Sequence, residues 1–173
     1  MPLPPDVTTI LSAADIERLR GAFANASYPG VDEHTPDGRF GQYAQSVLLA
    51  RFPLARKYVD SIGDYFYDDN KEVGPQNRER VVIATLLSHA NDGGYFLTLH
   101  VYWALMIGLS VREIAWTMVL CSSYSGIDRY TLGMTLLTDV TGALKAQLAV
   151  GTDEAIHPGA IVGVLAQTFA TRH

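Results

Sequence analysis

The chain has 173 residues, 48% of them hydrophobic and 18% charged, with a net charge of −5. That length fits one domain built around one ordinary core, and an acidic balance with no basic cluster interleaved with aromatics argues against nucleic acid as a partner. Cys121 is the only cysteine, which excludes an intramolecular disulfide, a CxxC pair and a cysteine metal cage.

The charged fraction lies below the ~25% usual for globular chains. Surplus apolar surface on a small domain can be taken up by subunit contacts, which points to an oligomer; the plainer alternative is a compact monomer with a few exposed apolar side chains. Met1 to Ile10 holds three prolines and lacks a basic start followed by an apolar run, so it does not read as a signal peptide. The apolar stretch Val101 to Leu120 is broken by Gly108, Arg112 and Glu113, and no membrane span is expected. These features suit a cytoplasmic protein.

Ser12 with Asp15 forms a variant capping box, and Ile16, Leu19 and Phe23 follow at helical spacing, predicting a helix over 13–25. Two turn sequences, Tyr28-Pro29-Gly30 and Pro36-Asp37-Gly38, mark 27–41 as a long loop, a lid or an arm. Its acids and histidine (Asp32, Glu33, His34, Asp37) read as solvated. Tyr43, Val47, Leu48 and Leu49 suggest a second helix over 42–51, stopped or restarted by Pro53. A third is expected over 54–66. Pro75 then sits at the first turn of a helix running over 76–90.

Asn91-Asp92-Gly93-Gly94 reads as a turn, followed by a helix over 95–107 that Gly108 closes. Ser110 and Glu113 make a second capping box for a helix reaching about Tyr124, and Gly126 breaks it. Asp128 to Leu148 reads as a long core helix, and a Gly- and Pro-containing link over 151–159 leads to a short terminal helix over 160–170. No strand alternation or repeat recurs. The expectation is an all-α fold of seven to eight helices in a single domain over 1–173. Its dense core spans about 76–148, and 1–75 is a more loosely organised lead-in.

The dense core carries a pattern: Arg78-Glu79 opening an apolar helix, then a turn, His100, Gly108 eight residues later, a helix capped by Ser110 with Glu113-Ile114, and Tyr124-Ser125-Gly126. In order and spacing this resembles the carboxymuconolactone decarboxylase and alkylhydroperoxidase D-like superfamily, over about a third of the chain. The peroxidase branch of that family places cysteines where Gly93 and Phe96 stand here. Thiol-based peroxide reduction needs a thiolate nucleophile and a resolving thiol, so the resemblance points to the decarboxylase-like branch. Cys121 reads as a buried structural thiol. Asp128 stands where the family usually has proline, and Glu79 lies about two residues farther from the cysteine-equivalent position than is usual.

The resemblance implies an alkylhydroperoxidase D-like helical fold, assembled as homotrimers or homohexamers with sites near subunit contacts. It also implies a lyase needing no cofactor and no metal. His100 sits mid-helix among apolar neighbours, where an imidazole can give and take protons near neutral pH; a hydrogen-bonded core histidine is the plainer reading. Glu79 is the candidate to assist it, against the alternative of an ordinary acid favoured by a helix start. Arg78 or Arg80 beside it would pair with a surface acid. Tyr124 is the candidate pocket hydroxyl and Trp103 a candidate substrate contact, from an aromatic set that mostly reads as core or interface; Asp128 and Arg129 are candidates for holding an acidic substrate, against the commoner surface ion pair. His89 and His100 do not form a metal motif. The expected function is decarboxylation or proton transfer on a small carboxylated lactone or oxo-acid. The alternative is a non-catalytic oligomeric protein of the same fold that binds a small molecule.

Overall fold

The computed structural model describes residues 7–50, 54, 57, 73–89 and 94–170. Among them every regular element is helical: a 3-10 turn at Val7–Thr9, then α1 (Ala13–Asn25), α2 (Pro36–Leu48), α3 (Gly74–His89), α4 (Gly94–Met106), α5 (Val111–Ser125), α6 (Ile127–Val150), α7 (Asp153–Ile156) and α8 (Pro158–Ala170). The fold is all-α. No helix among the described residues is long and apolar enough to cross a membrane.

Both capping boxes form. The Ser12 hydroxyl accepts from the Asp15 N–H while the Asp15 carboxylate accepts from the Ser12 N–H, and Ser110 and Glu113 do the same for α5. These bonds satisfy N–H groups that a helix start leaves without intrahelical partners. Gly108 and Gly126 close α4 and α5 at φ of 114° and 105°, a region in which an L side chain is strained. The link over 151–159 is shorter than expected, because Thr152 caps the short α7 and Pro158 already opens α8. The helix expected over 54–66 and the turn over 91–94 fall largely outside the described residues.

α4 is the centre of the molecule. Its side chains are apolar on all sides, with Leu97, Val101, Tyr102, Ala104 and Leu105 buried, and α1, α3, α6 and α8 pack around it. A helix that is hydrophobic all round belongs in a core. α5 and α6 form the broadest helix pair. Gly133 lets them close up, since a Cβ there would sit 3.2 Å from both Leu87 and the Met118 sulfur.

The lead-in is not loose where it is described. Leu19 and Phe23 of α1 and Phe40 of α2 are buried in the same continuous cluster as the motif helices. Phe40 meets Phe23, Tyr102 and Trp103 with ring centroids 5.0–5.6 Å apart. Arg20 of α1 donates to the carbonyl of Leu105, in the last turn of α4, and to that of Leu109, just before α5.

Candidate functional site

Three helices converge on one polar cluster. The first turns of α3 carry Arg78 and Glu79 inward. α4 presents His100 and Trp103, three residues apart and therefore on one face. α2 brings Asp37. Residues 36–41, expected as the end of a loop, are the first turns of that helix: the Thr35 hydroxyl accepts from the Gly38 N–H, Pro36 opens the helix, and Asp37 lies in its first turn. A proline at the first helical position has already lost an N–H that would go unpaired, and a carboxylate there is favoured by the helix dipole.

The bonds form a chain. His100 Nδ1 donates to Glu79 Oε2 at 2.7 Å. Glu79 Oε1 accepts from Arg78 Nε at 3.1 Å. The Arg78 NH2 group donates to both Asp37 oxygens, at 3.0 and 3.1 Å. Trp103 Nε1 donates to Asp37 Oδ1. The Trp103 ring lies nearly parallel to the His100 ring, 14° between planes and 5.6 Å between centroids, and the Arg78 guanidinium carbon lies 5.5 Å from the indole centroid.

Glu79 has no exposed surface, so its charge is tolerable only because both oxygens are paired. A carboxylate only accepts. The short contact therefore fixes the hydrogen of a neutral His100 on Nδ1 and leaves the Nε2 lone pair outward. The His100 side chain keeps 16% of its surface exposed, and among the described residues no hydrogen bond reaches Nε2. This is an oriented base whose conjugate acid rests against a carboxylate.

The other expected site residues lie elsewhere. Two contacts show that α5 runs alongside α3 in the same direction: Arg80 to Glu113 at 2.9 Å, and the Cys121 thiol to the Ala84 carbonyl at 3.2 Å. Tyr124 therefore lies roughly 16 Å beyond the level of Arg80 along the helix axis, at about 1.5 Å per residue. It is 88% exposed. Asp128 and Arg129 open α6 just past it. Asp128 lines a groove of about 560 Å³ with Thr98, Thr131, Thr135, Asp139 and Phe169, and the lining includes neither Glu79 nor His100. Trp103 belongs to the cluster but is only 3% exposed, so it offers a ligand little surface.

Of the two flanking arginines, Arg80 takes the surface acid, Glu113, while Arg78 turns inward. Cys121 is half-buried rather than fully buried. His89 donates from Nδ1 to the Thr85 carbonyl at 2.9 Å, one turn back on its own helix. Among the described residues no three His, Cys, Asp or Glu side chains gather closely enough to hold a metal ion.

Asp37 is the site residue that the sequence reading left in solvent. Its signal was present in Thr35-Pro36-Asp37, a capping residue, a proline and an acid, which is a helix start. The following Gly38 made the same residues read as a turn. No protein-family model matches the chain, and neither a curated protein nor a solved structure matches it.

Proposed function

We propose that this chain is a proton-transfer enzyme of the decarboxylase-like kind, working without a cofactor on a small carboxylated lactone or oxo-acid. The observation that carries the reading is the buried Glu79 carboxylate 2.7 Å from His100 Nδ1, which leaves Nε2 as an oriented, solvent-reachable base. The order of Arg78-Glu79, His100 and the capped Glu113 helix supports the decarboxylase-like kind.

In such a reaction the bond from carbon to carboxylate breaks, CO2 leaves, and its electron pair passes into the conjugated carbonyl as an enolate. His100, protonated at Nε2, delivers a proton to the carbon, and Glu79 holds the imidazolium at Nδ1 until then. The neutral ring recovers its proton from water. Run without CO2 loss, the same pair exchanges a proton next to a carbonyl. Glu79 supplies orientation and charge balance, a role for which it must stay buried and paired.

The same reading includes assembly with further copies of the chain as a trimer or hexamer. Trp116, Leu120 and Tyr124 follow one another at helical spacing on α5 and are all exposed. An exposed apolar stripe of this kind fits a subunit contact, and it moves Tyr124 from pocket hydroxyl to interface. A reducing cytoplasm suits the single thiol of Cys121.

The test is a turnover screen against small carboxylated lactones and oxo-acids. It reads CO2 release and solvent deuterium incorporation, with His100→Gln alongside. Turnover that falls at least 100-fold in the variant, as expected for loss of a general acid–base, supports the reading. Undiminished turnover in His100→Gln sinks it, and ligand binding with no turnover favours the binding-protein alternative. A single-chain mass by light scattering would overturn the assembly.

A further inference from the structure

We infer that Asp37, contributed by α2 from outside the motif core, is a positioning residue for the Glu79–His100 pair, acting through Arg78 and Trp103. The inference rests on the proton-transfer reading of that pair.

A guanidinium beside a carboxylate prefers a two-point fork onto both oxygens. Arg78 does not make that fork on Glu79. It gives Glu79 only its Nε, because its NH2 group is held by both oxygens of Asp37. The second Glu79 oxygen is thereby left to accept from His100. Asp37 thus sets how Arg78 is divided between two carboxylates. It also fixes the indole through the Trp103 N–H, and that ring stacks on His100.

The Asp37 carboxylate thus keeps the NH2 group of Arg78 away from Glu79 Oε2, where it would otherwise compete with His100 Nδ1. Asp37 is placed to do this because it sits on the first turn of α2. There the helix dipole favours its charge, and buried Phe40 of the same helix anchors it against Trp103.

The experiment is nitrogen-15 and proton NMR of the histidine rings in the whole chain, with His100 assigned by comparison with His100→Gln. In the wild type, His100 should show a single Nδ1–H form with a far-downfield hydrogen-bonded proton. Asp37→Asn keeps the size and removes the charge. It should lose at least half the intensity of that proton and give a mixture of ring forms, while the helical circular dichroism is unchanged. Asp37→Glu should recover most of the signal.

Trp103→Phe keeps an aromatic ring against His100 but removes the donor to Asp37, so it should weaken the signal less. It decides the matter if Asp37→Asn does not fold. An undisturbed Nδ1–H signal in folded Asp37→Asn would overturn the inference, as would an undisturbed signal in Trp103→Phe where that variant alone folds. Loss of the signal in every Asp37 variant, Asp37→Glu included, would also overturn it. The signal is read without substrate, so a failed turnover screen leaves it standing, and its failure leaves the Glu79–His100 pair standing.

Discussion

The helices α3 to α6 and the helices α1 and α2 are two different kinds of sequence folded into one core. The first set holds the most apolar helix, α4, and is punctuated by glycines, with one capping box on α5. The second opens on the other capping box, at Ser12 and Asp15, and has turn residues between its helices. Yet α1 and α2 bury Leu19, Phe23 and Phe40 as deeply as the motif helices bury Leu97 and Leu137, and α2 places Asp37 beside Arg78. Helices α3 and α4 hold the Glu79–His100 pair, and α2 packs beside it through Asp37 and Phe40. An arm with few apolar residues can still be structural if those few fall at one junction, here around Tyr102 and Trp103.

The strongest way to break that comparison is Phe40→Ala. The ring is fully buried among Phe23, Tyr102 and Trp103, so its removal opens a cavity in the core. We expect a loss of about 3–5 kcal/mol, close to that of Leu137→Ala in the motif region at about 2–5 kcal/mol. Urea denaturation midpoints of the two variants measure it. A Phe40→Ala cost under about 1 kcal/mol would make α2 an appendage and return the lead-in to the loose arm first read from its sequence.

What was legible divides along the same line. α1, α5 and the long α6 were readable because each announces itself by a cap or a terminating glycine as well as by period. The Glu79–His100 pair was readable only through motif order; nothing in the local sequence says that Glu79 is buried. α2 was misread by six residues because Pro-Asp-Gly serves a turn and a helix start equally well. Thr35 decides between them through a hydroxyl bond that composition does not reveal. Tyr124 lies far from His100 because it stands at the opposite end of α5 from Glu113, and a helix of this length holds its ends some 20 Å apart at about 1.5 Å per residue.

A smaller effect of opposite sign sharpens the junction itself. Tyr102 packs edge-on against Phe23 and Phe40, and its buried hydroxyl has no hydrogen-bond partner among the described residues. Burial also pushes its phenol well above the usual tyrosine range. An unpaired buried hydroxyl costs about 1–3 kcal/mol, so Tyr102→Phe should stabilise the chain by about 1 kcal/mol. By calorimetry that raises Tm by roughly 2–4 °C for a chain of this size. A lowered Tm would mean that the hydroxyl is satisfied by ordered water, and that the junction between the two regions is a polar contact.

The smallest expected effect compares the two capping boxes. Asp15 caps α1 and also accepts from Lys145 of α6 at 2.6 Å, tying the lead-in to the motif core; Glu113 caps α5 and pairs with Arg80 of α3. The Lys145 ammonium and the Ser12 N–H and hydroxyl hold the Asp15 carboxyl down at about 2. A carboxyl lowered in the folded state stabilises above its unfolded value, near 4. That contribution fades as pH falls and is gone below about 2. Lys145 is half-exposed, so solvent screening limits the pair to a fraction of 1 kcal/mol. Asp15→Asn should therefore be slightly less stable than wild type at pH 7, with the gap narrowing steadily from pH 4 toward 2 in denaturant titrations. A gap that stays constant across that range would assign the loss to the cap geometry alone and remove the ion pair between α1 and α6 from what joins the two regions.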